Sequence, residues 1–253
     1  MELNLKGKTS LVTGGSRGIG AAICQALAAE GVSTGVNYRA SAGEAEDLAR
    51  SITETHGAPS LPVKADLAVE QDIVAMFDRI EERLGPVDLL VNNAAVCPSG
   101  PLESYSVEEW ERTFRVNVTG AYVASREHIK RLRARRATGR IVNIASQAAF
   151  LGSTSGHLPY DASKGALISM TRAMAREVAE EGILINAIAP GMVMTEMVAG
   201  IWEQRKDFYL SRIPMKRIAL PEEVARIVVF LASDAASFMT GTTLDATGGL
   251  MMR

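Results

Sequence analysis

A strand-like segment that runs into a glycine-rich turn constrains this chain more than any other feature. Residues 9–13 form a short apolar run, residues 14–20 read GGSRGIG, and a helical pattern then continues to Ala29. With the spacing G-x3-G-x-G, Gly14 permits a tight turn, Gly18 lets the backbone approach a pyrophosphate, and Gly20 lets helix and strand pack closely. Free N–H groups at the start of the helix would then face the phosphates. Because the pattern lies between a strand and a helix, it predicts a dinucleotide-binding turn.

Apolar segments and helical periodicity alternate along the whole chain. Strands are predicted near residues 9–13, 32–38, 60–65, 87–92, 140–145, 183–189 and 242–246, and helices near 19–29, 42–56, 69–84, 106–136, 159–181 and 221–232. This alternation indicates βαβ units and a parallel sheet. Since no repeat, linker or shift of composition divides the chain, we predict one α/β domain over residues 1–253. The expected architecture is a Rossmann fold with a doubly wound, mostly parallel, seven-stranded sheet.

Residues 192–220 have a less regular pattern and are predicted to form a lid over a substrate site. Large apolar side chains in this segment suggest an apolar pocket wall, namely Met192, Met194, Met197, Ile201, Trp202 and Phe208.

Composition and charge disfavour several classes of function. The formal net charge of −2 gives no sign of nucleic acid or of an anionic membrane as a partner. No apolar run approaches the ~18 residues that a membrane span needs. The first ten residues also lack the apolar core of a signal peptide, so a cytoplasmic location is expected. Cys24 and Cys97 are too few for a disulfide framework, and with three scattered histidines no metal site is expected.

The segment after the second predicted strand bears on the choice of nucleotide. NAD-binding folds usually place Asp or Glu there to hold the ribose 2′-hydroxyl. Here the sequence Val36-Asn37-Tyr38-Arg39 is followed by no carboxylate until Glu44. An acid would repel a 2′-phosphate, whereas Arg39 could pair with it, and Arg17 could reach it from the glycine turn. The pattern favours NADP(H) over NAD(H), although either arginine could instead be a solvated surface charge.

The stretch from Arg140 to Lys164 carries a candidate proton-transfer device. Ser146 follows the fifth predicted strand, and Tyr160 and Lys164 are four residues apart on a predicted helix. Side chains at that spacing share one helix face. No His–Asp base accompanies Ser146, so it is interpreted as a hydrogen-bond donor rather than a nucleophile. His157 lies in the loop before Tyr160, where it could border a substrate.

With these segments in order, the chain resembles the short-chain dehydrogenase/reductase family over essentially its full length. The matching pieces are Thr13 to Gly20, Asp66, Asn92-Asn93-Ala94-Ala95, Asn117, Ser146, Tyr160-x-x-x-Lys164, and Pro190-Gly191 followed by Thr195. The resemblance implies that Tyr160 is the general acid, that Ser146 hydrogen-bonds the substrate oxygen, and that Lys164 holds the nicotinamide ribose. Asn117 is similar to the asparagine that links Lys164 to solvent through a water. The Lys164 ammonium and an oxidised nicotinamide are expected to lower the pKa of Tyr160.

The resemblance also implies the cofactor contacts. Asp66 would hold the adenine amino group, Asn93 would lie beside the adenosine ribose, and Thr195 would contact the carboxamide or phosphates. Alternatively, Asp66 and Thr195 cap helices and Asn93 serves a turn. The full predicted set is Gly14, Ser16, Arg17, Gly18, Ile19, Gly20, Tyr38, Arg39, Asp66, Leu67, Asn93, Ala94, Tyr160, Lys164, Pro190, Gly191, Val193 and Thr195.

The substrate class stays open at this point. The subgroup that the chain resembles most is the 3-oxoacyl-carrier-protein reductases, and the basic run from Lys130 to Arg136 could dock an acidic carrier protein. The same run could equally be a solvated helix end. Glu181 stands where carrier-protein reductases often have a basic residue, and Asp245-Ala246-Thr247-Gly248-Gly249 departs from the usual Asp-Gly-Gly.

Reductases of sugars, polyols or small ketones share the same motifs and remain an alternative. A non-catalytic dinucleotide sensor is a remoter one, because the Ser–Tyr–Lys set is whole.

Assembly follows from the long helices. The predicted helices 106–136 and 159–181 carry apolar residues beyond one face, namely Val116, Val118, Tyr122, Val123, Leu167, Ile168, Met170 and Met174. Because family members commonly associate through these helices, a homotetramer is expected.

Overall fold

A computed structural model describes residues 2–252, apart from the side chains of Met197 and Ile201. Its seven strands form one sheet in the order β3-β2-β1-β4-β5-β6-β7, and every pair is parallel. The strands are β1 (Thr9–Val12), β2 (Ser33–Tyr38), β3 (Ser60–Lys64), β4 (Leu89–Asn92), β5 (Gly139–Ile144), β6 (Ile183–Pro190) and β7 (Thr243–Ala246). The predicted seven-stranded α/β fold is confirmed, and the sheet is wholly rather than mostly parallel.

Helices cover both faces of this sheet. The α-helices are α1 (Gly18–Ala29), α2 (Ala42–His56), α3 (Glu70–Leu84), α4 (Val107–Phe114), α5 (Ala121–Ala134), α6 (Ala148–Leu151), α7 (Leu158–Val178), α8 (Glu196–Arg212) and α9 (Pro221–Ala232). No helix in the described part of the chain combines the length and apolar character that crossing a membrane requires.

The hydrophobic core lies in two layers, one on each side of the sheet. Successive strand residues point to opposite faces, so Leu11 packs in one layer and Val12 in the other. The layer around Val12 includes Ile23 of α1 and Val228 of α9. The layer around Leu11 includes Phe77 of α3 and residues of α5 and α7. Burial on both faces explains the apolar runs of the central strands β4, β5 and β6, and the two layers confirm the doubly wound arrangement.

The predicted helix 106–136 is in fact two helices joined by a π-helical turn, Arg115–Gly120. Ser106 caps α4 as expected, because its hydroxyl accepts a hydrogen bond from Glu109 N at 3.1 Å. Gly120 lies against the Leu67 carbonyl oxygen, which a methyl group at position 120 would approach to 2.6 Å. The π-helical turn, which ends at Gly120, therefore lies close to the loop after β3.

The order of the strands in the sheet determines where the candidate site lies. The chain leaves β1 toward β2 on one side, whereas β4 lies on the other side of β1. A crevice opens at the carboxyl ends of strands where the order reverses in this way. The glycine turn follows β1 and Asn93 follows β4, so both lie at that crevice.

Candidate active site

The glycine turn at the end of β1 is tightly packed. Gly14 and Gly18 have φ values of +59° and +54°, a region that favours glycine. A methyl group at Gly14 would lie 2.9 Å from the Ala94 Cα, and one at Gly20 would lie 2.2 Å from the Gly14 carbonyl oxygen. The turn, the first turn of α1 and the loop after β4 therefore pack too closely for a side chain at either position.

Two asparagines brace this turn. The Asn93 amide donates to the carbonyl oxygens of Thr13 and Gly14, both at 3.0 Å. Asn37, which is buried, accepts from Gly14 N at 3.0 Å and donates to the Ala65 carbonyl oxygen at 3.2 Å. The side chain of Asn93 thus serves the turn, as the alternative interpretation had it. The sequence analysis missed the role of Asn37, because its partners are distant in the sequence.

The groups expected to hold a dinucleotide fit that ligand. Neither a side-chain cap nor an acidic residue occupies the start of α1, so its first N–H groups remain open to phosphate. Arg17 and Arg39 are exposed, and neither forms an ion pair within the described residues. Most of the other predicted contacts follow the carboxyl ends of strands, namely Ser16, Ile19, Leu67, Ala94 and Val193, and Tyr38 is the last residue of β2.

Asp66 and Thr195 do not cap helices through their side chains. Asp66 Oδ1 accepts from Ala68 N at 2.9 Å in the loop before α3, whose N-cap is Val69. Thr195 occupies the N-cap position of α8, but its hydroxyl makes no capping bond. A methyl group at Gly18 would lie 3.5 Å from Thr195 Cγ2, so Thr195 borders the glycine turn.

The segment around Pro190 and Gly191 leads from the sheet to this border. Pro190 ends β6, and its carbonyl oxygen accepts from Gln147 N at 3.0 Å. Gly191 N donates to the Ala246 carbonyl oxygen at 2.9 Å. The start of the predicted lid is therefore fixed to the loop after β5 and to the end of β7.

The structure brings Ser146, Tyr160 and Lys164 together at the end of β5. The Ser146 hydroxyl lies close enough to the Tyr160 phenol to favour its ionised form. Lys164 Nζ lies 5.5 Å from the centroid of the Tyr160 ring and donates to the Ile144 carbonyl oxygen at 2.6 Å. The Ser146 hydroxyl also accepts from Ala148 N at 3.1 Å, which fixes its position after the strand. Phenol, hydroxyl and ammonium thus form one cluster.

Burial controls the ionisation of this cluster in the chain itself. It lowers the pKa of Lys164 to about 8. It also raises the pKa of Tyr160 above its ordinary value, although the nearby Ser146 hydroxyl acts in the opposite direction. The expectation of a lowered phenol pKa concerned the complex with an oxidised nicotinamide, and for that complex it stays a prediction. The Lys164 ammonium is hydrogen-bonded to a backbone carbonyl and does not offset the burial of Tyr160.

Asn117 lies in the π-helical turn, and its side chain is fully engaged. It accepts from Val96 N at 2.8 Å and donates to the Val96 carbonyl oxygen at 2.9 Å and to Ser163 Oγ at 3.0 Å. Ser163 in turn donates to the Tyr160 carbonyl oxygen at 2.7 Å. Asn117 therefore ties the loop after β4 to α7, and its amide bonds Val96 and Ser163 rather than Lys164.

A buried polar network that the sequence analysis missed lies behind the cluster. Asn92 donates to Asn143 Oδ1 at 2.8 Å and to Ser125 Oγ at 3.0 Å, and Asn143 donates to Thr171 Oγ1 at 2.8 Å. These bonds join β4, β5, α5 and α7 beneath the site. Buried polar groups of this kind are costly unless they are paired, so the network fixes α7 relative to the sheet.

Cys97 and His157 border the same cluster. Cys97 Sγ lies 3.7 Å from His157 Nδ1, which is 2.9 Å from the Pro98 carbonyl oxygen. Burial raises the pKa of the Cys97 thiol to about 11, so the thiol is neutral at pH 7. Sequence spacing gave no sign of this contact, because 60 residues separate the two side chains. Within the described residues, no three His, Cys, Asp or Glu side chains are grouped as metal ligands.

Loops and α8 form the mouth of the cleft. Ser153 N and Oγ each donate to the Asp161 carboxylate at 2.6 Å, and the Tyr105 hydroxyl donates to the Gly156 carbonyl oxygen at 2.6 Å. The segment 152–157 is thereby held on both sides. Arg212, at the end of α8, reaches Thr154 in this segment.

The predicted apolar wall is only partly present. Met192 lines a cavity of about 160 Å³ together with Ile213 and Met215. Phe208 is 45% exposed. Met197 and Ile201 lie outside the described side chains.

The basic run from Lys130 to Arg136 is largely neutralised within the chain. Arg131 contacts Asp78 and Glu81, both at 2.6 Å, Arg133 contacts Glu181 at 2.7 Å, and Arg135 contacts Asp88 at 3.0 Å. The run also ends next to the start of β5, whereas Ser146 follows the carboxyl end of that strand. It is therefore not a free cationic patch beside the site.

Comparisons with known proteins agree with this geometry. A family model described as "Enoyl-(Acyl carrier protein) reductase" matches residues 14–251. The 3-oxoacyl-[acyl-carrier-protein] reductase FabG of Aquifex aeolicus is 38% identical over 250 residues, which cover 99% of this chain and 100% of that protein. An acetoacetyl-CoA reductase of Rhizobium meliloti is 42% identical over 243 residues, which cover 96% of this chain and 98% of that protein.

The fold comparison gives the same result. The L-sorbose reductase of Gluconobacter frateurii, solved with NADPH and L-sorbose, superposes with a TM-score of 0.92 at 29% identity and covers 100% of both chains. The glycine turn, the Ser–Tyr–Lys cluster and these full-length relatives identify the chain as an oxidoreductase of the short-chain dehydrogenase/reductase family.

Proposed function

We propose that this chain is an NADP(H)-dependent ketoreductase that reduces the 3-oxo group of acyl thioesters. The observation that carries the proposal is the contact of Ser146 and Tyr160, with Lys164 beside them, at the same sheet edge as the phosphate-binding turn. The relatives named as 3-oxoacyl-[acyl-carrier-protein] reductase and acetoacetyl-CoA reductase support the thioester class.

The side chains have distinct roles in this proposal. A bound nicotinamide supplies the hydride. Ser146 donates a hydrogen bond to the carbonyl oxygen, where negative charge develops. Tyr160 gives its phenol proton to that oxygen, and the Lys164 ammonium favours the phenolate that remains. Asn117 positions the loop after β4 against Ser163 and so fixes the helix that carries Tyr160.

Replacing Tyr160 with Phe tests the proposed acid and the rival of a non-catalytic sensor. The variant keeps the ring but loses the proton donor, so kcat should fall by at least about 100-fold, the lower end for general acid catalysis. Tyr122→Phe is the matched control, because Tyr122 is 46% exposed on α5 and lies outside the cluster. Undiminished ketone reduction by Tyr160→Phe would refute the assignment.

Arg17 and Arg39 are the proposed contacts for the 2′-phosphate of NADPH. Both are exposed and carry charges that no carboxylate of the described chain neutralises. Binding of NADPH and NADH should be compared for the wild type and for Arg39→Gln. The wild type should bind NADPH more tightly than NADH, and the variant, which keeps Arg17, should show a smaller preference while binding NADH unchanged. Tighter binding of NADH by the wild type would refute the assignment.

The substrate class is tested by NADPH consumption against a panel. Acetoacetyl thioesters should be reduced with a higher kcat/KM than simple diketones or ketoses. Because L-sorbose reductase shares the fold over the full chain, a sugar or polyol reductase is the second candidate. Preference for a ketose over the thioester would select it.

We also propose assembly as a homotetramer in the cytoplasm. Val116, Val123, Leu167 and Ile168 are buried within the subunit, so they are not free to form an interface. Tyr122 and Val107 remain exposed, and Trp110 stacks on Phe114 with ring centroids 4.8 Å apart. A mass measurement in solution tests this, and a monomer would contradict it.

A further inference from the structure

Arg212 links the end of α8 to the loop that precedes the catalytic helix. Its Nη1 donates to Thr154 Oγ1 at 3.4 Å, and its guanidinium carbon lies 5.3 Å from the centroid of the Phe208 ring. Thr154 follows Ser153, which is bonded to Asp161, the neighbour of Tyr160. The guanidinium therefore lies at the mouth of the cleft, and contacts on two sides orient it.

No carboxylate of the described residues forms an ion pair with Arg212. Arg131, Arg133 and Arg217, by contrast, each contact an acidic side chain at 2.6–2.7 Å. The nearby Asp161 carboxylate already accepts both hydrogen bonds from Ser153.

Stabilisation of the helix end does not account for Arg212 either. A cation near a helix C-terminus often serves the unpaired carbonyl groups there. Lys216 already fills this role, because its Nζ donates to the carbonyl oxygens of Leu210 and Ser211, each at 3.3 Å. Arg212 instead points its guanidinium across to the loop.

An oriented guanidinium with unused N–H groups suits a phosphate group. Arginine binds phosphate through two parallel hydrogen bonds, and stacking on an aromatic ring fixes the plane of that fork. A 3-oxoacyl group is presented on a phosphopantetheine arm, whose phosphate is remote from the reacting carbonyl. With the carbonyl at Tyr160, an arm that leaves between α8 and segment 152–157 would pass Arg212, which contacts Thr154 of that segment.

We propose that Arg212 binds the phosphate of the phosphopantetheine arm and so determines specificity for thioesters carried on that arm. This inference rests on the proposed ketoreductase function and names the contact that would select its substrate. The phosphate could belong to coenzyme A or to a carrier protein, since the two share the same arm.

The test compares thioesters with and without phosphate. Acetoacetyl-CoA, acetoacetyl carrier protein and the acetoacetyl thioester of N-acetylcysteamine, which lacks phosphate, are assayed with the wild type and Arg212→Gln. The variant should raise the KM for acetoacetyl-CoA by about five- to tenfold, the effect of one exposed charge-assisted hydrogen bond. The KM for the N-acetylcysteamine thioester and both kcat values should stay within about twofold. Lys206→Gln removes the same charge from an exposed position of α8 and should change neither KM.

A binding measurement separates this inference from the function on which it rests. Coenzyme A is titrated calorimetrically into enzyme saturated with NADP⁺, and Arg212→Gln should weaken its binding by the same factor. Arg212→Lys should recover part of the loss, because it keeps the charge but not the fork.

Each outcome tests either the inference about Arg212 or the proposed function on which it rests. Equal KM changes for both small thioesters would mean that Arg212 only holds α8 in place, and unchanged KM values would mean that it contacts no phosphate. Either result overturns the inference. An effect confined to the carrier-protein substrate would also overturn the inference, because coenzyme A carries the same arm phosphate, and it would mean that Arg212 contacts the carrier protein itself. If the wild type reduces no thioester, the proposed function fails, and unaltered binding of coenzyme A by Arg212→Gln would then overturn the inference as well.

Discussion

A buried histidine far from the catalytic cluster makes the stability of this protein depend on pH. His128 in α5 is fully buried and stacks on Phe77, with ring centroids 6.3 Å apart. Burial lowers its pKa from 6.5 to about 3, and the charges of Arg135 and Arg131 add to the effect. Its ring nitrogens make no hydrogen bond of good geometry, although the backbone of Arg140 and of Asp88 weakly favours the charged form. Folding therefore requires His128 to be neutral.

The sign and the size of the effect follow from this shift. Between pH 6.5 and pH 3 the unfolded chain binds a proton at His128 that the folded chain does not, so stability falls as pH falls. The full difference between 6.5 and about 3 corresponds to about 5 kcal/mol at 1.36 kcal/mol for each pH unit. At pH 5 about 2 kcal/mol of it should already be lost relative to pH 8.

Replacing His128 with Leu removes this titration. Urea unfolding of the wild type and of His128→Leu is measured at pH 8 and pH 5 at one protein concentration, because association would shift the midpoints. The packing change contributes equally at both pH values and cancels. On acidification the variant should therefore lose about 2 kcal/mol less free energy of unfolding than the wild type.

The control is His56→Gln, which removes an exposed imidazole at the end of α2 and should follow the wild type at both pH values. If His128→Leu loses as much stability between pH 8 and pH 5 as the wild type, within about 0.5 kcal/mol, the reasoning from burial is refuted.

Two further predictions concern the glycine turn and the catalytic lysine. Gly20→Ala would place a methyl group 2.2 Å from the Gly14 carbonyl oxygen, so we expect a loss of about 1–3 kcal/mol in urea unfolding and weaker NADPH binding. Gly43→Ala in α2, where no atom lies within 4 Å, should instead stabilise by about 0.4–1 kcal/mol, and equal effects would contradict the packing argument. Because the pKa of Lys164 is about 8, the NADPH dissociation constant should rise as pH increases from 7 to 9. Lys164→Met should bind more weakly without that rise, and a pH-independent wild type would exclude a binding role for the ammonium.

Most of the fold could be predicted from the sequence because the central parallel strands β1, β4, β5 and β6 are buried on both faces. Such strands appear as short apolar runs, and the amphipathic helices between them have clear periodicity, as in α2 and α9, whose predicted bounds match the structure. The segment predicted as a lid contains a helix of 17 residues, Glu196–Arg212, which the sequence analysis did not predict. Apolar and charged residues are spread around all sides of α8, so it shows no apolar stripe to read from the sequence.

The residues of the candidate site also fall into two groups, those that local sequence patterns predict and those whose roles depend on long-range contacts. Ser146, Tyr160 and Lys164 could be proposed together because two of them share a helix face and the third follows the neighbouring strand. Asn37, Asn92 and Asn143 could not be, because their roles depend on partners brought close only by the folded sheet. Long-range pairing also bears on the basic run, whose two interpretations the sequence left open, since Arg131 and Arg133 contact carboxylates 50 and 48 residues away. Counting charges along the sequence therefore overstated the cationic surface of the basic run. Arg212, by contrast, has no carboxylate partner among the described residues, so its charge remains available at the mouth of the cleft.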